Sequence, residues 1–470
     1  MSLTVGTAWR SDKLFVGHGL VADSVKDLFH VMGSKLTVEM DPTLNVENRR
    51  KVVFGRDLRI CRLDGSLLIP YGFTNERSPS FERWYRAMLP ATSSDIITGS
   101  RTGFGKGIVR KKVEKTVKLA AEQKIPFIRG KSAIEGGNCF LFQRADGSTK
   151  GVVGVHSLVL TLMALEEQGY FEVPEVKLQL SEMQSGYEAP SEECLRIARN
   201  LSYYARYHGL QDALELVEAE LRPLARETSD RVKELKEKKA ALNKELSVFE
   251  GETGYRRKLL SPLSASEEAS LDFKQKGIEL EAKLSLARQV MAEELNIAAK
   301  DLAIVPQVKF HIDMEMFASP DRKTLFVHDE SLVQNILNAN PRKSLSEQRY
   351  LKASQERLKA FGAIYEKTVS ILKQQGFDVK RLPGIFEADG ENAVYFMNGF
   401  FVPCHDGEHF FTNGAMQFPW FDGGFKEAFF AQMPNSKVYF INGELIDQMM
   451  TQCNAGVHCV TWDGGKPQDL

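Results

Sequence analysis

GNCFLFQRADGSTKGVVGV, residues 137–155, reads as an apolar strand, a turn containing Asp146 and Gly147, and a second strand. The same texture occurs three more times, in KVVFGRDLRICRLDGSLLIPY (51–71), KFHIDMEMFASPDRKTLFVHD (309–329) and NAVYFMNGFFVPCHDG (392–407). Helices are expected after several of these hairpins. The run from Ser344 to about Gln375 opens with a capping-box pair, Ser344 and Glu347, and stops at Gly376. Repeated ββαβ units predict an α/β protein whose modules are arranged radially, while periodicity alone leaves closure into a ring open.

One stretch breaks the pattern. From about 188 to 304 the chain turns helical, with Ser191 followed by Glu192 and Glu193 at its start. Leu210, Leu214, Val217, Leu221 and Leu224 recur at four-three spacing, and Leu235, Leu242 and Phe249 follow at seven, which predicts the seam of one long amphipathic helix. Gly251, Gly254 and Pro262 interrupt this seam, Ser264 with Glu267 offers a second capping box, and a further helical run continues to about Lys300. The expectation is an antiparallel helical hairpin at 188–304, inserted between two parts of an α/β domain, 1–187 and 305–470. Its charge run, RVKELKEKKAALNKE from Arg231, is most simply a solvated face.

Composition narrows the class. Hydrophobic residues at 43% and charged residues at 26% suit a folded globular chain, and a formal charge of -1 gives no reason to expect nucleic acid or an acidic membrane as partner. No apolar run approaches a transmembrane span, and MSLTVGTAWRSDKLFVGHGL lacks the layout of a secretory signal. Six scattered cysteines make no disulfide framework, so a reducing cytoplasm is the default location. Export by a route without such a signal would leave the same sequence.

Four segments carry polar residues where strands would carry apolar ones: Arg56-Asp57, Glu135-Gly136-Gly137-Asn138, His311-Ile312-Asp313 and Gly456-Val457-His458-Cys459-Val460-Thr461. His311 and Asp313, two apart in a strand-like stretch, are expected on one face, where imidazole and carboxylate together suit proton transfer and cation binding. Each segment also has a plainer reading. His311 and Asp313 would make a solvated pair, Gly136-Gly137 a tight turn, Asp57 a surface acid and Cys459 a buried thiol. Two rival chemistries are weaker. Cys404, His405, His409, Cys453, His458 and Cys459 gather near one end of the sequence but match no common zinc spacing. Gly103, Gly105 and Gly107 lack the Gly-Lys-Ser/Thr ending of a phosphate loop.

Taken in order, the four segments resemble the guanidino-group-modifying enzymes: agmatine deiminase, peptidylarginine deiminase, arginine deiminase and glycine amidinotransferase. FGRDLRICRLDGSLLIP, IEGGNCFLF, FHIDMEMF and AGVHCVTW are similar to that family's successive motifs, and YFMNGFFVP, FKEAFFAQMP and KVYFING resemble its approach to the nucleophile. The resemblance covers about 350 residues, those outside the helical insertion. It implies a pentein-type β/α-propeller of ββαβ modules, no metal and no organic cofactor. It casts Cys459 as nucleophile, His311 as general acid and base, Glu135 as the carboxylate that orients His311, and Asp57 and Asp313 as the grip on the guanidinium.

The residue types fit that chemistry. A guanidinium is a planar, permanent cation with five donors, which paired carboxylates match in shape and charge. Its central carbon is a poor electrophile and calls for a thiolate, whose pKa a neighbouring cation lowers. The implied substrate is a guanidino-containing small molecule or an arginine-containing protein. With water as second substrate the product is a ureido group, and with an amine the reaction is amidino transfer. The other class of function is an interaction protein docking a partner through the helical hairpin. Two features depart from the family pattern: Glu315 has no assigned part, and Asn454 and Ala455 stand where relatives carry further glycines.

Overall fold

One pattern of strand pairing recurs in five small sheets: two antiparallel strands, consecutive in four of the sheets, with a third strand parallel to the second of them. The protein is described by a computed structural model at residues 3–4, 10–11, 13–16, 25–27, 29–30, 37–40, 60–71, 114, 117–118, 120–122, 125–143, 148–224, 229–251, 271–309, 311–321, 323–340, 343–388, 391–442, 450, 457–458 and 461–464. It is an α/β protein divided into two units, one of Met1–Tyr170 with Leu286–Leu470 and one of Phe171–Ser285.

Near the start of the chain lie β1 (Leu3–Thr4), β2 (Arg10–Ser11), β3 (Lys13–Val16) and β4 (Thr37–Met40). The first complete module joins β5 (Ile60–Cys61) and β6 (Leu67–Ile69) antiparallel, with β7 (Phe127–Arg129) parallel to β6. Its turn is made by Gly65, whose φ of 79° a residue with a side chain rarely adopts, and by Asp64, which accepts from the amide and hydroxyl of Ser66. The second joins β8 (Cys139–Gln143) and β9 (Thr149–Gly154), with β10 (Leu302–Val305) parallel to β9. The third joins β11 (Met316–Ala318) and β12 (Thr324–His328), with β13 (Asp378–Leu382) parallel to β12.

A short pair, β14 (Ile385–Phe386) and β15 (Val394–Tyr395), leads into the fourth module. There β16 (Phe400–Cys404) and β17 (Gly407–Asn413) are antiparallel, and β18 (Val438–Ile441) runs parallel to β17. β1 extends this sheet along β16, and β2 pairs with β1. The fifth module takes strands from distant parts of the sequence: β19 (Thr461–Gly464) is antiparallel to β3, and β4 is parallel to β3.

Helices supply the crossovers. α1 (Val155–Glu167) follows β9, α6 (Glu330–Ala339) and α7 (Leu345–Gln374) separate β12 from β13, and α8 (Pro419–Gln432) separates β17 from β18. α7 begins at the Ser344–Glu347 capping box, in which each residue satisfies an orphan amide of the other. Phe421, Phe425 and Phe429 recur every four residues on α8 and are fully buried. Phe429 stacks among Phe317, Phe326 and Phe410, whose mutual centroid distances of 4.9 and 4.2 Å tie the third and fourth sheets into one core. Each such ring contributes roughly 1.5–3 kcal/mol by leaving water.

The second unit holds α2 (Pro174–Ser185), α3 (Glu192–Leu221), α4 (Asp230–Gly251) and the Leu271–Ser285 part of α5 (Leu271–Glu294). Ser191 caps α3 by accepting from the Cys194 amide. The ion pairs Arg206–Glu245, Lys239–Glu218 and Arg231–Glu220 step in opposite directions along α3 and α4, so the two run antiparallel.

This corrects two expectations. The long seam from Leu210 to Phe249 is not one helix: it folds back between Leu221 and Asp230, where Pro223 has no amide to donate. The helical run expected to reach about Lys300 ends at Glu294: Asn296 takes a φ of 58°, which an α-helix cannot include, and Leu302–Val305 is a strand paired with β9. The bounds expected for the insertion were 188–304, whereas the second unit is Phe171–Ser285. Gly254, Pro262 and the Ser264–Glu267 pair lie outside the described residues. No helix among the described residues is long and apolar enough to cross a membrane.

Candidate active site

Just ahead of β8 and β11 the backbone makes the same small device. Glu135 is extended (φ -95°, ψ 144°) and caps a single 3-10 turn, Gly136–Asn138; His311 is extended (φ -123°, ψ 143°) and caps another, Ile312–Met314. The strand expected to carry His311 and Asp313 on one face therefore starts only at Met316. The amides of Met314 and Glu315 turn back onto the carbonyls of His311 and Ile312 rather than into a ladder.

The two turns meet. Glu135 Oε2 lies 2.6 Å from His311 Nε2, with both residues buried. With Glu135 ionised, Nε2 carries the proton and donates it. Gly137 lies against the imidazole: a Cβ there would stand 2.5 Å from Nδ1 and 3.0 Å from Cγ, so only glycine lets the backbone approach. Asn138 Oδ1 accepts from the Ile312 amide at 3.1 Å, and its Nδ2 donates to Ser157 Oγ at 3.0 Å, tying both turns to α1.

Asp313 is also buried. Its Oδ2 accepts from His458 Nδ1 at 2.7 Å, which brings the fourth sequence segment to the third. Asn398 Nδ2 donates to the Asp313 carbonyl at 3.4 Å, and Asn398 Oδ1 accepts from the His458 amide at 3.1 Å. Asn413 Oδ1 accepts from the Val457 amide at 2.9 Å. Glu135, His311, Asp313 and His458 are thus brought together as two linked pairs, whereas Arg56, Asp57 and Cys459 lie outside the described residues.

Sequence reading passed over Asn398 and Asn413, and did not foresee that His458 would partner Asp313. One signal was present: Asn398-Gly399 stands just before β16 as Asn138 stands before β8 and His311-Ile312-Asp313 before β11.

Glu315, left unassigned by sequence, is buried and accepts from the amides of Val308 and Lys309, the segment that leads into His311. Burial pushes its carboxyl up to about 7, against the lowering effect of those amides and of Lys309. Around it lies a buried charge network. Lys309 pairs with Glu387, which also accepts from Tyr395 at 3.0 Å. Arg357 forks onto Glu330 at 2.8 and 3.0 Å. His328 Nδ1 accepts from the Gly384 amide, so its Nε2 holds the proton and donates to Glu330 at 2.9 Å. Burial raises the Glu330 carboxyl, but His328 and Arg357 outweigh it and bring it down to about 2.

The zinc reading finds its residues engaged otherwise. Cys404 is buried, which pushes its thiol up to about 11, and His409 binds Asp406 through Nε2 and the Lys437 amide through Nδ1. Among the described residues no group of three or more His, Cys, Asp or Glu is placed to hold a metal ion. Cys453 and the glycines at 103, 105 and 107 lie outside those residues. No protein-family model matches the chain, and no curated protein matches it.

Proposed function

We propose that the chain is a cysteine-dependent hydrolase of the guanidino group, of the kind its four motifs resemble. The observation that carries this reading is the buried Glu135–His311 pair, with Asp313 beside it joined to His458, the residue that precedes Cys459. A buried imidazole aligned by a carboxylate is a proton carrier, and a second buried carboxylate close by suits a cation. The five sheets of common strand pairing, the last uniting β19 with β3, are what favours a pentein-type propeller.

In this reaction Asp57 and Asp313 hold the guanidinium and the Cys459 thiolate attacks its central carbon, forming a C–S bond. With Nε2 committed to Glu135, proton exchange runs through the other ring nitrogen of His311, Nδ1. His311 protonates the departing nitrogen, the C–N bond breaks, and ammonia leaves a covalent thiouronium. A water that gives its proton to the same imidazole attacks next, the C–S bond breaks, and a ureido product departs as the thiolate is restored. No metal or organic cofactor is required, and a cytoplasmic location fits a thiolate enzyme. The substrate is a free or peptide-linked arginine-like group, and the antiparallel α3–α4 hairpin is a candidate docking element for a protein carrying it.

The test is release of ammonia and ureido product from a panel of free guanidines and arginine-containing proteins, with Cys459→Ala as blank. Turnover of at least one that vanishes in the variant supports the reading. Turnover unchanged in Cys459→Ala, or none on any member, ends it. Conversion without ammonia that depends on an added amine reassigns the reaction to amidino transfer.

A further inference from the structure

Asn398, Asp313 and His458 close a circuit of three hydrogen bonds. Asn398 Nδ2 donates to the Asp313 carbonyl, the His458 amide donates to Asn398 Oδ1, and His458 Nδ1 donates to Asp313 Oδ2. The residues are 0%, 1% and 3% exposed, and they stand just ahead of β16, β11 and β19, the leading strands of three different sheets. We propose that Asn398 and His458 are positioning residues: they fix the Asp313 carboxylate as a cation acceptor and hold it in register with the turn that leads to Cys459. This rests on the reading of the site as a guanidino hydrolase and gives roles to two residues that take no step in the reaction it describes.

Two physical arguments set the circuit apart from ordinary core polarity. Burying a carboxylate costs several kcal/mol unless it is paired, and apolar residues of the same volume commonly serve stability as well or better. A buried acid held by a neutral donor keeps its full negative charge, whereas pairing with lysine or arginine would cancel the field offered to a cationic substrate. An imidazole in its neutral form, with one N–H on Oδ2, would hold Asp313 in the first way. The backbone of His458 is in turn hung from Asn398, and that of Val457 from Asn413, so acid and turn move as one body. A carboxylate free to rotate, or displaced by 1 Å, would lose much of its grip on a planar guanidinium.

The experiment alkylates Cys459 with 2-chloroacetamidine, a flat amidinium cation, and with neutral 2-chloroacetamide, in the full-length protein. Labelling of Cys459→Ala is subtracted to remove the other cysteines. The ratio of the two rates reads how well a cation is held beside the thiol, whether or not any guanidine is turned over. Wild type is expected to prefer the amidinium. His458→Leu and Asn398→Ala are expected to lower that preference about ten- to a hundredfold, as loss of hydrogen bonds to a charged group does. His458→Asn, which restores a donor at the Nδ1 position, is expected to recover a large part of it.

Where a guanidine substrate is found, the same variants should raise KM more than they lower kcat. If His458→Leu fails to melt cooperatively, His458→Gln takes its place. The proposal is overturned if wild type shows no amidinium preference, if both disrupting variants keep it, or if His458→Asn is no better than His458→Leu. Clear preference in wild type with no turnover of any guanidine would sink the hydrolase reading while leaving the circuit standing.

Discussion

Glu135 and His311 share a 2.6 Å hydrogen bond across 176 residues of chain, and each sits at the same point of a different module, as the extended residue before a single 3-10 turn. The carboxylate sets which imidazole nitrogen is protonated. Glu135→Gln keeps the shape but removes the charge that stabilises an imidazolium. Turnover should drop by about 10²–10⁴ while the protein still folds. Ammonia release by the purified variant, beside its melting curve, checks this.

Gly137→Ala is the sharper probe of geometry. A methyl group 2.5 Å from His311 Nδ1 forces the ring or the turn aside, and the ring is locked on its other side by Glu135. Overpacking of this kind costs about 1–3 kcal/mol, so a modest fall in melting temperature should accompany a much larger loss of kcat. Equal, small effects on both would show that the imidazole can shift without consequence.

Glu315 gives a pH signature. Its folded-state pKa of about 7 lies above the ordinary 4.5, so the folded protein takes up a proton between those values. Its stabilising effect is complete below about pH 4.5, falls away as pH rises, and is gone above about 7, a swing of about 3 kcal/mol. Glu315→Gln keeps an acceptor for the amides of Val308 and Lys309. It should therefore leave stability at pH 4 nearly unchanged and raise it at pH 8. Urea melts across that range would show the flattened curve.

Arg357→Leu tests the buried network. It would leave Glu330, held down to about 2 by His328 and Arg357, with only the imidazole as partner. A loss of about 3–5 kcal/mol is expected at neutral pH. Because the Glu330 pKa is depressed, its contribution is present above the unfolded value and is lost as pH falls towards about 2. The penalty should accordingly shrink in acid. Pairing Arg357→Leu with Glu330→Gln should recover part of the loss.

Local signals of the fold were legible where turn chemistry and periodicity act within about thirty residues. The hairpins within 51–71, 137–155 and 309–329, the Ser344–Glu347 cap and the onset of helix at Ser191 are of that kind; the hairpin expected within 392–407 is not formed, because Val394–Tyr395 pairs back with Ile385–Phe386 and Phe400–Cys404 pairs onward with Gly407–Asn413. The fifth sheet was not legible, because β19 and β3 carry no mark of each other in sequence. The break at Pro223 was not read, because the leucine seam runs past it. At the site, Glu135, His311 and Asp313 stood out as polar residues where strands would carry apolar ones, and the structure places them just ahead of the strands. Asn398 and Asn413 were hidden because an asparagine near a glycine in a hairpin reads as turn chemistry until its partners are known.

The pairing of β19 with β3 also orders events during synthesis. Lys13–Val16 leaves the ribosome well before Thr461–Gly464, so the edge it offers to that strand stays open while the residues between them are made. The same late segment brings His458 to Asp313, so a partly translated chain holds an acid with no imidazole beside it. Assembly of the last sheet and completion of that polar cluster are then one late step, and every shortened product that stops before Thr461 should leave a sticky margin for chaperones to cover.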